Sequence, residues 1–288
     1  MGAAAVNAII APWFVRARPA ALSMAYNGAS VGGVIFSPLW VTLIVSIGFA
    51  QAAVIIGIAM VTAVVALSAL AFSKSPDVLG QFPDGARPDY RGLAPLNVAP
   101  TAGALLWRDR RFLTLAVGMA SGLFAQIGLL AHLFSTMVPV FGSNAAGLLM
   151  GGATVAAIVG RTGIGWLMPG SADRRLIASA SYGVQIVGCL MLLATDGENA
   201  AAMAVGVLLF GLGIGNATSL PPLIAQVKFQ EADVSRVVPL IVALSQATYA
   251  LAPALFGIAR TISDPAIFIL AVAIQFLAVI ALLAGRRK

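Results

Sequence analysis

Residues 265–285 read PAIFILAVAIQFLAVIALLAG, an uncharged apolar run followed at once by the basic residues 286–288. The hydrocarbon core of a bilayer is about 30 Å thick and is crossed by roughly 20 helical residues, so this run has the length of one spanning helix. Backbone polar groups in lipid must be satisfied within the segment, and the run shows no period-2 alternation, so we predict a helix and exclude a barrel strand. The segment therefore indicates an integral membrane protein.

The composition of the whole chain agrees with this prediction. Of its 288 residues, 60% are hydrophobic and only 9% are charged, with a mean hydropathy of +0.98. An average soluble domain has roughly 25% charged residues, so this composition excludes a soluble enzyme. A single cysteine, Cys189, and a single histidine, His132, leave too few side chains for a disulfide framework or a zinc or iron site. We expect no enzyme activity, no metal and no cofactor.

Similar apolar runs recur along the chain and predict an all-α, polytopic transmembrane helix bundle. The eight complete spans are predicted at about 20–45, 51–72, 112–137, 145–168, 176–195, 200–222, 237–259 and 265–285. Residues 1–14 are also apolar but too short to cross a bilayer, so we predict an N-terminal helix remnant there. The segment 73–111 contains five prolines and is predicted to be a linker.

Basic residues are distributed unevenly over the connections between these spans. The formal charge is +7, which in a soluble protein would suggest nucleic acid, but here lysine and arginine lie between apolar runs. Placing the linker 73–111 inside puts 16 of the 17 basic residues on the same side and leaves only Arg260 outside. Because such residues are retained in the cytoplasm, we predict a bacterial inner-membrane protein with a cytoplasmic C-terminus and no nucleic-acid partner.

Four local sequences carry a resemblance to a known family. WFVRARPAALS at 13–23 resembles the basic loop between helices four and five of the major facilitator superfamily, and GRTGIG at 160–165 followed by DRR at 173–175 resembles its motif between helices eight and nine. HLFSTMVP at 132–139 is similar to the oxalate/formate and monocarboxylate branch. The resemblance covers essentially the whole chain.

The resemblance implies a domain organisation and a function. Family members have two halves of six helices, so residues 1–72 would be the remnant of the first half, 73–111 the linker and 112–288 the second half, with the chain N-terminally shortened. The implied function is alternating-access symport or antiport of a small solute, with an organic anion as the candidate. The alternative is a truncated, transport-incompetent protein that acts as an assembly or interaction partner. Expected partners are the lipid bilayer, the solute and either a complementary transporter half or none.

The same resemblance implies a cytoplasmic gate. In the family, a loop aspartate lies near the cytoplasmic end of the fifth helix, which here begins around Arg18. The spacing between the motif's glycine and its aspartate is longer in this chain, so the gate is expected to be distorted or shifted. The expected gate residues are Gly165, Asp173, Arg174, Arg175 and Arg18.

Arg161 is the only charged residue within a predicted span. A charged residue near the centre of a helix costs about 2.5–3.5 kcal/mol on insertion scales, so Arg161 either extends its side chain to the interface or binds an anion. The resemblance favours a substrate carboxylate, because monocarboxylate-type relatives have an arginine at this position, although their aspartate one turn earlier is Ala157 here. The other predicted residues of the substrate path, each of which could instead bond a neighbouring helix, are Gln126, His132, Asn216, Gln246 and Tyr249.

Small residues recur within the spans. Gly147 and Gly151, and likewise Gly152 and Gly160, have spacings that predict close helix packing. The sequence GLGIG at 211–215 lies inside an apolar span and follows no strand, so we interpret it as helix softening and not as a nucleotide-binding loop. Together with the asparagine and prolines that follow, it predicts a bend in this helix.

Overall fold

The computed structural model of the protein describes residues 3–14, 17–85, 103–168, 172–195 and 199–286, and the regular structure of these residues is helical throughout. The all-α prediction is confirmed. By their internal contacts the residues form two compact units, 1–96 and 97–288. The boundary between the units falls inside the segment predicted to be a linker, and each unit is described by itself.

The first unit is built from two long helices. A short helix α1 (Ala3–Ile10) precedes α2 (Arg18–Ile47) and α3 (Phe49–Leu67), and α3 continues as a π-helical turn over Ser68–Phe72. A single residue, Gly48, separates α2 from α3 and has φ +83°. Because glycine has no Cβ, it adopts this left-handed conformation without strain, and the chain can reverse here without a loop.

The second unit contains the remaining helices. They are α4 (Gly103–Leu106), α5 (Arg110–Leu167), α6 (Arg174–Ala194), α7 (Ala200–Ile214), α8 (Asn216–Lys228), α9 (Glu231–Tyr249), α10 (Ala252–Ile262) and α11 (Ala266–Ala284).

α5 is divided by one glycine into two helical parts. Gly142 has φ +73°, outside the helical region, and the chain changes direction there. The parts on either side, 110–141 and 143–167, correspond to the predicted spans 112–137 and 145–168.

Two further predicted spans are each made of two helical pieces. α7 and α8 meet at Gly215, and α9 and α10 are separated by residues 250–251. Pro221 and Pro222 in α8 lack the backbone N–H that a helix interior uses, so carbonyl groups near the α7–α8 break lose helical partners. The predicted bend is therefore present, and it lies immediately before Asn216.

Six helical stretches among the described residues are long and apolar enough to cross a membrane. They are Phe49–Phe72, Arg110–Leu167, Arg174–Ala194, Ala200–Lys228, Ala232–Ile262 and Ala266–Ala284. Each of the eight predicted spans coincides with a helix or a helical part, while the number of membrane crossings stays a prediction.

Glycines bring the backbone of α7 into contact with that of α5. A Cβ atom added at Gly211 would lie 2.5 Å from the carbonyl oxygen of Ala153, and one added at Gly215 would overlap the carbonyl oxygen of Ala157. On α5 itself, a Cβ atom at Gly160 would overlap the carbonyl oxygen of Leu212. In lipid, burying apolar side chains between helices provides little hydrophobic driving force, so such close backbone packing is a main source of helix association.

α7 packs equally closely on α6. A Cβ atom at Gly213 would lie 2.5 Å from the carbonyl oxygen of Ser181, and one at Gly188 would lie 2.6 Å from that of Gly206. The sequence analysis predicted softening of this helix and did not predict that these glycines make close backbone contacts. By contrast, Gly147 and Gly151 have no atom within 4 Å of their Cβ positions and do not contribute to packing among the described residues.

We expect Gly160→Ala to lower the free energy of unfolding by about 1–3 kcal/mol, the usual cost of overpacking. The new methyl group would overlap the carbonyl oxygen of Leu212, which belongs to a helix backbone and cannot turn away. Gly163→Ala is the matched control, because its Cβ position has no neighbour within 4 Å. Unfolding by sodium dodecyl sulfate in detergent micelles, followed by circular dichroism, measures both. Equal stabilities would contradict the backbone contact.

Candidate functional site

Arg161 lies in the second part of α5 with its side chain turned into the bundle. The residue is 7% exposed, and its Nε atom donates a hydrogen bond of 2.6 Å to the carbonyl oxygen of Gly215. That carbonyl lies at the break between α7 and α8, where it also accepts from the hydroxyl of Ser219 at 3.5 Å. The structure therefore places Arg161 against the interruption of a neighbouring helix.

Asn216 follows directly on this break. Its side chain is 3% exposed, and its Oδ1 atom has no hydrogen-bond partner among the described residues. Asn216 and Ser181 are polar members of the lining of a largely apolar cleft of about 320 Å³ between residues 159–164, 177–184 and 212–216. Arg161 thus bonds the residue that precedes Asn216, but the residues that line this cleft do not include Arg161.

Gln126 joins a network of three buried amides. Its Nε2 atom donates to Oε1 of Gln185 at 2.9 Å, and Nε2 of Gln275 donates to the same oxygen at 3.0 Å. The network connects α5, α6 and α11. In this structure the Gln126 amide therefore bonds neighbouring helices, which is the alternative that the sequence left open for polar residues inside spans.

His132 contacts α10, the second piece of the broken α9–α10 helix. Its Nε2 atom lies 2.9 Å from the carbonyl oxygen of Pro253. A carbonyl can only accept, so Nε2 carries the proton in this contact. His132 thus connects α5 to the first turn of α10.

Gln246 and Tyr249 lie at the end of α9, immediately before the break at 250–251. Gln246 is exposed and Tyr249 is half-buried. In an unbroken helix, the spacing i, i+3, i+7 would place Gln246, Tyr249 and Pro253 on one face. The break at 250–251 instead separates Gln246 and Tyr249 from Pro253. Among the described residues, no hydrogen bond connects Gln246 or Tyr249 with Arg161.

Asp173 begins α6 and holds it to the end of α11. One carboxylate oxygen accepts from the backbone N–H groups of Arg175 at 3.0 Å and Leu176 at 3.3 Å, which caps the helix. The other oxygen accepts from Nε of Arg286 at 2.6 Å. Partial burial raises the pKa of the Asp173 carboxyl, but these hydrogen bonds and the arginine charge lower it more, so the pKa lies below its usual value. The stabilisation is present at neutral pH and is lost as the pH falls through this lowered pKa.

Arg175 is the most buried of the predicted gate residues, at 1% exposure. Its guanidinium donates to the carbonyl oxygen of Arg111 at 2.8 Å, to the hydroxyl of Thr114 at 3.0 Å and to the carbonyl oxygen of Leu282 at 3.3 Å. These bonds tie the start of α6 to the start of α5 and the end of α11.

Arg174 points the other way. Its Nη1 atom donates to the carbonyl oxygen of Leu223 in α8 at 2.5 Å. Gly165 lies half-buried near the end of α5. The side chain of Arg18 lies outside the described residues, and its expected contact with Asp173, which would join the two units, stays a prediction.

Sequence reasoning missed several partners at these sites. Gln185 and Gln275 were recognisable as polar residues within spans, but their shared contact is not encoded in any spacing. Thr114 and Arg286 carried no signal beyond their position near helix ends. Among the described residues, no group of three or more histidine, cysteine, aspartate or glutamate side chains could hold a metal ion.

Broken apolar helices are a feature of many membrane transporters. A comparison with protein families matches residues 1–253 to the Major Facilitator Superfamily. The chain therefore belongs to the Major Facilitator Superfamily, a multi-pass membrane family, and this membership supports transport of a small solute. A search of curated proteins finds no matching relative.

We expect Asp173→Ala to lower the free energy of unfolding by about 1–2 kcal/mol, as the sum of a lost helix cap and a partly exposed ion pair. Asp173→Asn keeps a capping oxygen but loses the charge that pairs with Arg286. Its free energy of unfolding should therefore fall by less than that of Asp173→Ala. Thermal unfolding in detergent micelles at neutral pH distinguishes them. If the asparagine variant is as unstable as the alanine variant, the ion pair and not the cap carries the effect.

Proposed function

We propose that this protein moves a small organic anion across the membrane by alternating access, and that Arg161 is the residue that binds the anion. Family membership supports the transport of a small solute, and the class of solute and the binding residue are the added proposals. The resemblance to the oxalate/formate and monocarboxylate branch supports a carboxylate. Coupling of transport to an ion, as symport or antiport, belongs to the same proposal.

The observation that carries the proposal is the position of the Arg161 guanidinium. It is buried at a helix break, and the bond from Nε to Gly215 fixes the plane of the group. A guanidinium group can meet a carboxylate with two parallel hydrogen bonds, which an ammonium group cannot form. In a low-dielectric interior such a charge-assisted pair is stronger than in water. The Oδ1 atom of Asn216, the residue after Gly215, has no partner among the described residues and would accept a hydrogen bond from a solute in the adjoining cleft.

The hydrogen bond from Arg161 to Gly215 also links anion binding to a movement of α8. Because Arg161 bonds a carbonyl at the α7–α8 break, a carboxylate that draws the guanidinium towards itself would weaken the bond that holds α8. Arg174 bonds the middle of α8 through the carbonyl oxygen of Leu223. We propose that Gly165, Asp173, Arg174 and Arg175 with Arg18 form the cytoplasmic gate, and that Gln126, His132, Gln246 and Tyr249 support the path.

We expect Arg161→Lys to weaken the binding of a carboxylate by about tenfold, since hydrogen bonds to charged groups contribute about 1.5–3 kcal/mol and lysine lacks the planar fork. Equilibrium binding of radiolabelled oxalate and of radiolabelled lactate to the purified protein measures the change. Arg236→Lys, an exposed arginine on α9, is the matched control, and glucose is the uncharged control solute.

Equal binding by the wild type and Arg161→Lys would show that Arg161 does not bind the anion. It would not contradict the proposal that the solute is an organic anion. Binding of glucose in preference to both acids would overturn the anion itself. Thermal unfolding of each variant separates a lost contact from a lost fold.

The proposed orientation places both the linker and the C-terminus in the cytoplasm. Reporter fusions after Arg91 and after Lys288 should both give a cytoplasmic signal, because 16 of 17 basic residues then lie inside. A fusion after Asp264 serves as the control and should give a periplasmic signal. A periplasmic signal from either of the first two fusions would contradict the topology.

A further inference from the structure

Six arginines lie at one end of the second unit, where α5 and α6 begin and α11 ends. We call them the arginine cluster: Arg108, Arg110, Arg111, Arg174, Arg175 and Arg286. Two carboxylates, Asp109 and Asp173, accompany them, so six positive charges against two negative charges leave an excess of four among these residues.

Arg175 is a buried member of the cluster, and its hydrogen bonds connect the helix ends that carry the other arginines. Among the described residues, its buried guanidinium donates to neutral acceptors, the carbonyl oxygens of Arg111 and Leu282 and the hydroxyl of Thr114. The backbone at Gly285 lies so close that a Cβ atom there would overlap Nη1 of Arg175. The charges of Asp173 and Asp109 favour the Arg175 cation without forming an ion pair with it, and the excess positive charge at this end favours an external anion.

Both carboxylates, Asp109 and Asp173, already have hydrogen-bond partners within the structure. Asp173 pairs with Arg286 and caps α6. Asp109 accepts from the backbone N–H of Arg111 at 2.7 Å, as the cap of α5. Arg110 and Arg111 are exposed, and neither forms an ion pair within the part of the chain that the structure describes.

An apolar stripe continues from these arginines along α5. Leu113 is 40% exposed and Val117 is 42% exposed, and with Arg110 they have the spacing i, i+3, i+7 of one helix face. Trp107, which is 48% exposed, precedes them, and its ring packs edge-on against Phe112 at 5.3 Å. Tryptophan, then arginine, then apolar side chains is the order found where a helix enters a membrane. This order is typical of side chains at the depth of lipid headgroups.

We propose that the arginine cluster binds the phosphate of an anionic phospholipid of the phosphatidylglycerol type. Arg110 and Arg111 contact the phosphate, and an acyl chain lies along Leu113 and Val117. The apolar stripe favours a lipid over free phosphate, because a soluble anion makes no use of it. The site is separate from Arg161 and does not depend on which solute is carried or on which side of the membrane this end lies.

Native mass spectrometry of the full chain, titrated with dioleoylphosphatidylglycerol or dioleoylphosphatidylcholine, tests this site. We expect tighter binding of the anionic lipid, and a loss of about twentyfold in that affinity in Arg110→Gln/Arg111→Gln, since each basic residue near an anionic lipid surface contributes about fivefold. Arg110→Lys/Arg111→Lys should retain most of the affinity. Lys228→Gln, which removes one exposed charge at the end of α8, is the control and should bind as the wild type does.

Three results would overturn the proposal. They are equal affinity for the two lipids, unchanged affinity in the double glutamine variant with an intact thermal transition, and complete displacement of the lipid by inorganic phosphate at the same concentration. The last would assign the cluster to a soluble anion. Each would leave the transport proposal unaffected, because carboxylate binding at Arg161 is measured independently.

Discussion

The contact of the α7 backbone with the backbones of α5 and α6 is the constraint on which the second unit depends. In lipid, burying apolar side chains between helices provides little driving force, because the surrounding acyl chains are equally apolar. Association must come from close packing and from polar contacts. Gly160, Gly211 and Gly215 remove the side chains that would otherwise separate α5 from α7, and Gly213 does the same towards α6. α7 thereby becomes the helix against which its neighbours are positioned.

Close approach also explains where the polar side chains of the bundle can go. The Nε atom of Arg161 reaches the carbonyl of Gly215 at 2.6 Å because a glycine there leaves the carbonyl open to α5. Gln185, packed against Gly213, accepts from both Gln126 and Gln275. Unpaired polar groups are costly in hydrocarbon, so these bonds give the packing its specificity. A transporter must nevertheless move, and the interruptions at Gly215 and at 250–251 lie beside the two contacts that Arg161 and His132 make.

Most charged side chains of the second unit lie near helix ends, and the polar side chains inside the bundle are mainly amides. Arginine residues occupy the end where α5 and α6 begin, with Asp173 and Asp109 as helix caps, while the interior relies on amides and on Arg161. The lowered pKa of Asp173 follows from this arrangement, because Arg286 and the start of α6 both favour the ionised carboxylate. The positive excess that remains at this end is the basis of the lipid site that we propose there.

The sequence by itself determined the class of fold. Apolar runs such as 265–285 leave a helix as the only stable backbone in lipid, and this reasoning placed every span on a helix of the structure. It also identified Arg161, because one charge in a long apolar run has few physical explanations. Tertiary structure alone decided the partners: Gly215 for Arg161, Gln185 for Gln126, Pro253 for His132 and Arg286 for Asp173. The physical reason is that periodicity along a chain records which face of a helix is apolar, whereas these contacts depend on distances between helices, which the glycines of α7 set through backbone packing.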